Sequence, residues 1–174
     1  MKLVLATQNP KKLKEMNEIL SHLGVEVVSE AELGVRIEVE ETGETFTDNA
    51  RLKATAVMQA TGLPAVADDS GLCVDALNGG PGVYSARFGG EGLDDKGRYT
   101  LLLEMLRGQT DRAAHFHTSI VCAFPNGDEL VCEGECPGTI AFAPMGEGGF
   151  GYDPVFFVPE LRKTFGQLTA EEKA

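Results

Sequence analysis

Residues Ala65-Val66-Ala67-Asp68-Asp69-Ser70-Gly71 place two adjacent carboxylates, a hydroxyl and a glycine directly after a short apolar run. Bounded by Pro64 and Gly71, the run reads as a buried strand, although periodicity alone does not separate it from a buried helical segment. In open α/β sheets ligands bind beyond the carboxyl ends of strands, where Asp68 and Asp69 are expected. Neighbouring strand residues point to opposite faces, so one carboxylate meets a ligand while the other orients the turn. The plainer alternative is an Asx-turn that merely closes the strand.

Other stretches add chemistry to that pair. Thr7-Gln8-Asn9-Pro10-Lys11-Lys12 stands at a strand-to-helix junction, where free backbone N–H groups and the helix dipole favour an anion. Two lysines at a helix start oppose the dipole unless an anion is bound, which points to phosphate; a solvated lysine pair is the alternative. Glu40 and Glu41 offer hard oxygen ligands, as do Asp68 and Asp69, and magnesium prefers one or two carboxylates plus substrate phosphates and water. Lys53, in mid-helix, either reaches the same site or faces solvent. Gly148-Gly149-Phe150-Gly151-Tyr152-Asp153 lets backbone approach a ligand closely, with Phe150 or Tyr152 as a ring for stacking on a base. The alternative there is a flexible turn with core aromatics. The sum is a metal-assisted phosphate site with an aromatic wall. His115 and His117 alternate along a strand and could complete a metal site with a cysteine, but a closed zinc signature is absent and structural histidines are the simpler expectation.

The elements that must position these residues are legible from periodicity and punctuation. Lys2 to Ala6 reads as a strand, Asn9 as an N-cap and Pro10 as the first residue of a helix. That helix carries Leu13, Met16, Leu20 and Leu23 at helical spacing and closes at Gly24. Val25 to Val28 is a second strand, and residues 37–44 form an acidic segment leading into a loop. A second helix is predicted from Thr47 to Ala60, with Ala50, Ala54, Val57 and Met58 on one face and Gly62 and Pro64 as its stop. A third, from Asp95 to Leu106, offers Leu102, Met105 and Leu106 to the core. His115 to Phe124, the turn Asn126-Gly127 and Glu129 to Glu135 form a hairpin, and Val155 to Val158 a last short strand. This order predicts an α/β fold with a mixed sheet in one domain over residues 1–174. Thr169-Ala170-Glu171-Glu172 is a capping box that announces a helix, yet the sequence ends two residues later, as if cut inside an element; a solvated tail is the alternative.

Composition limits the partners. A formal charge of -12 argues against a nucleic-acid or anionic-membrane surface, which needs a basic footprint, but leaves room for a small phosphate ligand. No run approaches a membrane span, and the amino terminus lacks a signal-peptide pattern, so a cytoplasmic location is expected. Cys73, Cys122, Cys132 and Cys136 are expected as reduced, buried thiols.

The ordered motifs Thr7-x-Asn9-x-x-Lys12, Glu41-Thr42-Gly43-x-Thr45-Phe46-x-x-Asn49-Ala50-x-x-Lys53-Ala54, Ala67-Asp68-Asp69-Ser70-Gly71-Leu72, Pro81-Gly82-Val83-Tyr84-Ser85-Ala86-Arg87 and Gly148-Gly149-Phe150-Gly151-Tyr152-Asp153-Pro154 together resemble the inosine/xanthosine triphosphate pyrophosphatase family over essentially the whole chain. The resemblance implies a mixed, twisted sheet with flanking helices in two lobes around a central cleft, a homodimer and magnesium dependence. It implies cleavage of ITP, dITP or XTP to the monophosphate and pyrophosphate. Carried onto this sequence, it assigns Thr7, Gln8, Asn9, Pro10, Lys11 and Lys12 to the triphosphate, and Glu40 and Asp69 to magnesium. Asp69 is also the implied general base, Lys53 the residue that stabilises phosphate charge, and Ser70 a nucleotide contact. Phe150, Gly151, Tyr152 and Asp153 are implied to line the base pocket, and Lys173 to contact the nucleotide. Two departures stand out: Gln8 replaces a glycine often found in the first motif, and the family's Ser-His-Arg triplet and terminal helix do not appear in this sequence.

Overall fold

The structure is a computed structural model that describes residues 1–7, 10–40, 42–90, 92–149 and 151–169, without the side chains of Pro10 and Lys11. Its order is β1 (Lys2–Leu5), α1 (Pro10–Leu20), β2 (Glu26–Ser29), α2 (Phe46–Thr61), β3 (Ala65–Val74), β4 (Gly80–Pro81), α3 (Asp95–Met105), β5 (Ala113–Ala123), β6 (Glu129–Ile140), β7 (Phe156–Val158) and β8 (Lys163–Thr164), with short 3-10 turns between. The strands join in one mixed sheet in the order β2-β1-β3-β5-β6-β7-β8, with β4 paired to β3. This is the α/β fold with a mixed sheet and flanking helices that the sequence predicts. The chain divides into two compact units, Met1–Ser70 with Thr118–Gly134 and Gly71–His117 with Glu135–Ala174. The strands β3, β5 and β6 contribute residues to both.

In the first unit β1 runs parallel to both β2 and β3. Such pairs need crossover connections, and α1 and α2 supply them. Leu13, Met16 and Leu20 of α1 pack on Leu3, Leu5, Val27 and Val66. Asn17 fastens β2 by donating to the Val27 carbonyl and accepting from its N–H, both at 3.0 Å. α2 is capped by Thr45, whose side chain accepts from the Asp48 N–H, and is closed by Gly62 in the left-handed conformation at φ 70°. Its apolar face, Ala50, Ala54 and Val57, is fully buried, the small residues allowing the helix to lie close to β3 and β5.

The second unit is built around Leu72, Val74, Leu102, Leu106, Ile140, Val155 and Phe156. Asp94 caps α3 by accepting from the Gly97 N–H at 2.7 Å. Leu102 and Leu106, four residues apart, share the buried face; Met105, expected in the core, is 48% exposed because it sits about a quarter-turn away from Leu106. All four cysteines are free, and Cys132 is exposed rather than buried as expected, in a stretch of β6, residues 129–135, that is exposed throughout. Among the described residues no helix is long and apolar enough to cross a membrane.

Candidate functional site

The strand carrying Asp68-Asp69-Ser70-Gly71 does not stop at the acidic pair: β3 continues to Val74. The expected strand end, and the Asx-turn alternative with it, are corrected by a second apolar run, Leu72-Cys73-Val74, of which Leu72 and Val74 are fully buried. Burying that run extends the strand through its polar middle. The alternation expected of a strand is retained there, with Asp69 buried and Asp68 and Ser70 more open.

The two carboxylates accordingly meet different partners. Asp68 Oδ2 accepts from Lys12 Nζ of α1 at 2.7 Å, in a pair whose side chains are 19% and 37% exposed respectively. Asp69 Oδ2 accepts from Asn49 Nδ2 at 3.3 Å, and Asp69 Oδ1 lies 4.0 Å from Lys53 Nζ. Lys53 also donates to the main-chain carbonyl of Asp68 at 2.6 Å, so this mid-helix lysine turns inward rather than to solvent. Ser70 Oγ shares a hydrogen bond with Thr118 Oγ1 at 2.8 Å. Two ammonium groups and two carboxylates thus gather on β3 from α1 and α2, with opposite charges balanced.

Asn49 stands in one of the motifs quoted above, yet sequence reasoning assigns it no role. Its side chain is completely buried and works at both ends, Nδ2 toward Asp69 and Oδ1 accepting from the Gly43 N–H at 2.7 Å. It therefore fixes the Asp69 carboxylate to the segment preceding α2. Gly43 is required for that contact, since a Cβ there would lie 2.6 Å from Asp48 Cβ and 2.7 Å from Asn49 Oδ1. The signal was available: an asparagine next to Ala50 on the apolar face of a helix must find partners in the interior.

A cavity of about 350 Å³ adjoins this cluster, lined by Thr7, Lys53, Glu30 and Glu38 among others. Its size is that of a small-molecule site. Glu30 is only 6% exposed; burial pushes its carboxyl above the ordinary range, and a hydrogen bond from the Ile37 backbone partly opposes that rise. Sequence reasoning also passed over Glu30, which no motif marks. Glu40 is exposed on the irregular segment before α2. Among the described residues Glu40, Asp68 and Asp69 do not converge as three ligands for one ion; the group that does is His115, His117 and Glu135.

The remaining expected residues belong to the second unit or lie outside the described residues. Tyr152, a residue of the second unit, is 6% exposed within its core, and its hydroxyl donates to the Ser85 carbonyl at 2.6 Å. Burial, ahead of neighbouring charges, pushes that phenol up to about 12. It fits the core-aromatic alternative rather than an open stacking wall. Gly151 donates its N–H to Asp95 Oδ2 at 3.0 Å, and Asp153 is buried. Gln8, Asn9, Phe150 and Lys173 fall outside the described residues, as do the side chains of Pro10 and Lys11.

The sequence model of the Ham1 family matches residues 3–174. A dITP/XTP pyrophosphatase of an Exiguobacterium species is 50% identical over 174 residues, spanning 100% of this chain and 89% of that protein. A dITP/XTP pyrophosphatase of Thermus thermophilus is 52% identical over 176 residues, covering 100% of this chain and 84% of that protein. Among solved structures, a HAM1 protein from Coxiella burnetii superimposes with a TM-score of 0.94 at 44% identity, over 99% of this chain and 89% of that one. The Ham1 protein of Staphylococcus aureus gives a TM-score of 0.93 at 43% identity, with coverage of 99% and 89%.

Proposed function

The chain belongs to the Ham1 family, and on that premise we propose that it is a nucleoside-triphosphate pyrophosphatase that hydrolyses dITP, ITP and XTP to the monophosphate and pyrophosphate. The observation that carries this reading is the pairing of Lys12 with Asp68 and of Lys53 with Asp69 on one strand, beside a cavity of nucleotide-binding size. The cations counter triphosphate charge, and the carboxylates provide a base and hard oxygen donors.

Each residue then has a part. Lys12 exchanges Asp68 for a phosphate oxygen; the partly exposed pair is worth only about 1 kcal/mol or less, so the exchange is easily reversed. Lys53, held by the Asp68 carbonyl, offers its remaining hydrogens to the phosphoryl group being cleaved. Asp69, oriented by Asn49, accepts the proton of the attacking water. Thr7 and the α1 amino terminus cradle the triphosphate, and Ser70 contacts the nucleotide.

The donor set suits magnesium, because the buried Asp69 and the exposed Glu40 are the one or two carboxylates this ion takes alongside substrate phosphates and water. When bound, magnesium supplies charge neutralisation on the triphosphate. A homodimer and a cytoplasmic location complete the proposal and rest on the resemblance and on the sequence pattern.

The test is pyrophosphate release from dITP, XTP and ATP, with and without magnesium. A kcat/KM at least about 100-fold higher for dITP and XTP than for ATP is expected, since a site that hydrogen-bonds the 6-oxo group leaves those partners unpaired with adenine. Comparable values for all three would reject the assignment.

A further inference from the structure

We propose that His115, His117 and Glu135 form a binding site for a zinc-class divalent cation that pins β5 to β6 in the second unit. Nothing in the phosphate chemistry above uses these side chains.

The geometry begins with spacing. His115 and His117 are two residues apart on β5 and therefore share one face of the sheet. Glu135 reaches them from the adjacent strand β6. Its Oε1 lies 3.2 Å from His117 Nδ1 and 3.8 Å from His115 Nε2. One carboxylate oxygen thus faces two imidazole nitrogens, and the three ligand atoms all lie within 4.8 Å of one another. Zinc bonds of about 2.0–2.1 Å in a tetrahedron put neighbouring ligand atoms about 3.3 Å apart. The two measured edges are within about half an ångström of that value. The rings, 6.5 Å apart between centroids and inclined at 69°, do not stack on each other and can turn their nitrogens to a common point.

The chemistry selects the ion. Two imidazoles and a carboxylate form a known zinc set, which holds the metal with three protein ligands and leaves a fourth position open. The imidazole side chains are 30% and 18% exposed and Glu135 is 59% exposed, so an ion can enter from solvent and keep a water ligand. Magnesium, which prefers oxygen donors, is the wrong partner for this set and the right one for the carboxylates of β3. A simple Glu135–histidine ion pair is the competing account; it explains one contact but gives no reason for the second imidazole on the same oxygen.

The test is titration of the metal-free protein with zinc alone by calorimetry, with cobalt(II) substitution read by its visible absorption. One zinc per chain, a four-coordinate cobalt spectrum and no displacement by millimolar magnesium are expected. His117→Ala should weaken zinc binding at least about 100-fold and Glu135→Gln about 10–100-fold. Because Glu135 is largely exposed, E135Q keeps the fold if H117A does not. A Cys132→Ser, Cys136→Ser double variant should bind zinc as the parent does. Zinc at about a hundredfold excess over the parent's Kd should raise the melting temperature by roughly 5–10 °C in the parent and by about half of that or less in E135Q. No binding, affinity unchanged in both H117A and E135Q, or binding lost with the cysteines would each overturn the proposal.

Discussion

Asn49→Ala is the perturbation that asks most of the site. Asn49 is fully buried and uses both ends of its amide, one on the Asp69 carboxylate at 3.3 Å and one on the Gly43 N–H at 2.7 Å. A hydrogen bond to a charged group contributes about 1.5–3 kcal/mol, and the length of this one argues for the lower end. The neutral bond to Gly43 adds about 1 kcal/mol, and the truncated side chain leaves a small void. The variant should therefore lose about 2–4 kcal/mol, or roughly 5–15 °C in melting temperature for a chain of this size. Released from Asn49, the Asp69 carboxylate can rotate, and a misplacement of about 1 Å costs on the order of 100-fold in kcat. Asn49→Asp sharpens the case. It places a like charge beside Asp69 in the interior, so its folded-state pKa must lie above the unfolded value. The cost is then greatest at alkaline pH and is relieved as pH falls and the new acid protonates. Differential scanning calorimetry between about pH 5 and 8, with steady-state pyrophosphate release, reads both effects. An Asn49→Ala protein that melts within about 2 °C of the parent and retains its kcat would refute this account of Asp69.

Gly43→Ala should reproduce the Asn49→Ala phenotype, since its methyl would stand 2.6 Å from Asp48 and 2.7 Å from Asn49; wild-type melting and turnover would show that the loop yields without cost. Glu30→Gln should stabilise the protein at about pH 7 but not near pH 4. Burial raises the Glu30 pKa in the fold, so the stability its neutral form contributes is present below the unfolded pKa and lost as pH rises through the folded one; the difference in melting temperature across that range is the readout. Tyr152→Phe should cost about 1–2 kcal/mol through loss of the bond to the Ser85 carbonyl while leaving KM for dITP unchanged. A large rise in KM would return Tyr152 to the base pocket.

The β1-α1-β2 and α2-β3 succession was readable because helix starts and stops carry local chemistry: Pro10 opens α1, Gly62 closes α2, and Leu13, Met16 and Leu20 show the period of α1. Asp68 and Asp69 were legible as chemistry, and their division between opposite faces followed from strand geometry. What could not be read was the length of the strand. Gly71 looked like punctuation, and only tertiary burial of Leu72 and Val74 carries β3 beyond it. Partnerships across the sequence were equally hidden. Nothing local ties Lys12 to Asp68, 56 residues away, or Asn49 to Asp69, because such contacts are set by how helices cross the sheet. Tyr152 leaves both of its readings open in the sequence, a ring beside glycines or a core aromatic; the burial of its ring and the bond of its hydroxyl to the Ser85 carbonyl are set by tertiary packing within the second unit. His115 and His117 are legible in the sequence as a pair, whereas Glu135 lies on the next strand and no local spacing ties it to them.

The central claim is that Asp69 stands at the reacting centre of a triphosphate pyrophosphatase. It is tested most directly by pyrophosphate release from dITP under single-turnover conditions, comparing the parent with Asp69→Asn. Asparagine preserves the size of the side chain and can still pair with Asn49 after an amide rotation, so the fold should be retained. The rate should fall by about 100- to 10,000-fold, the range a positioned general base contributes. A folded Asp69→Asn protein that releases pyrophosphate at more than about a tenth of the parent rate would contradict it.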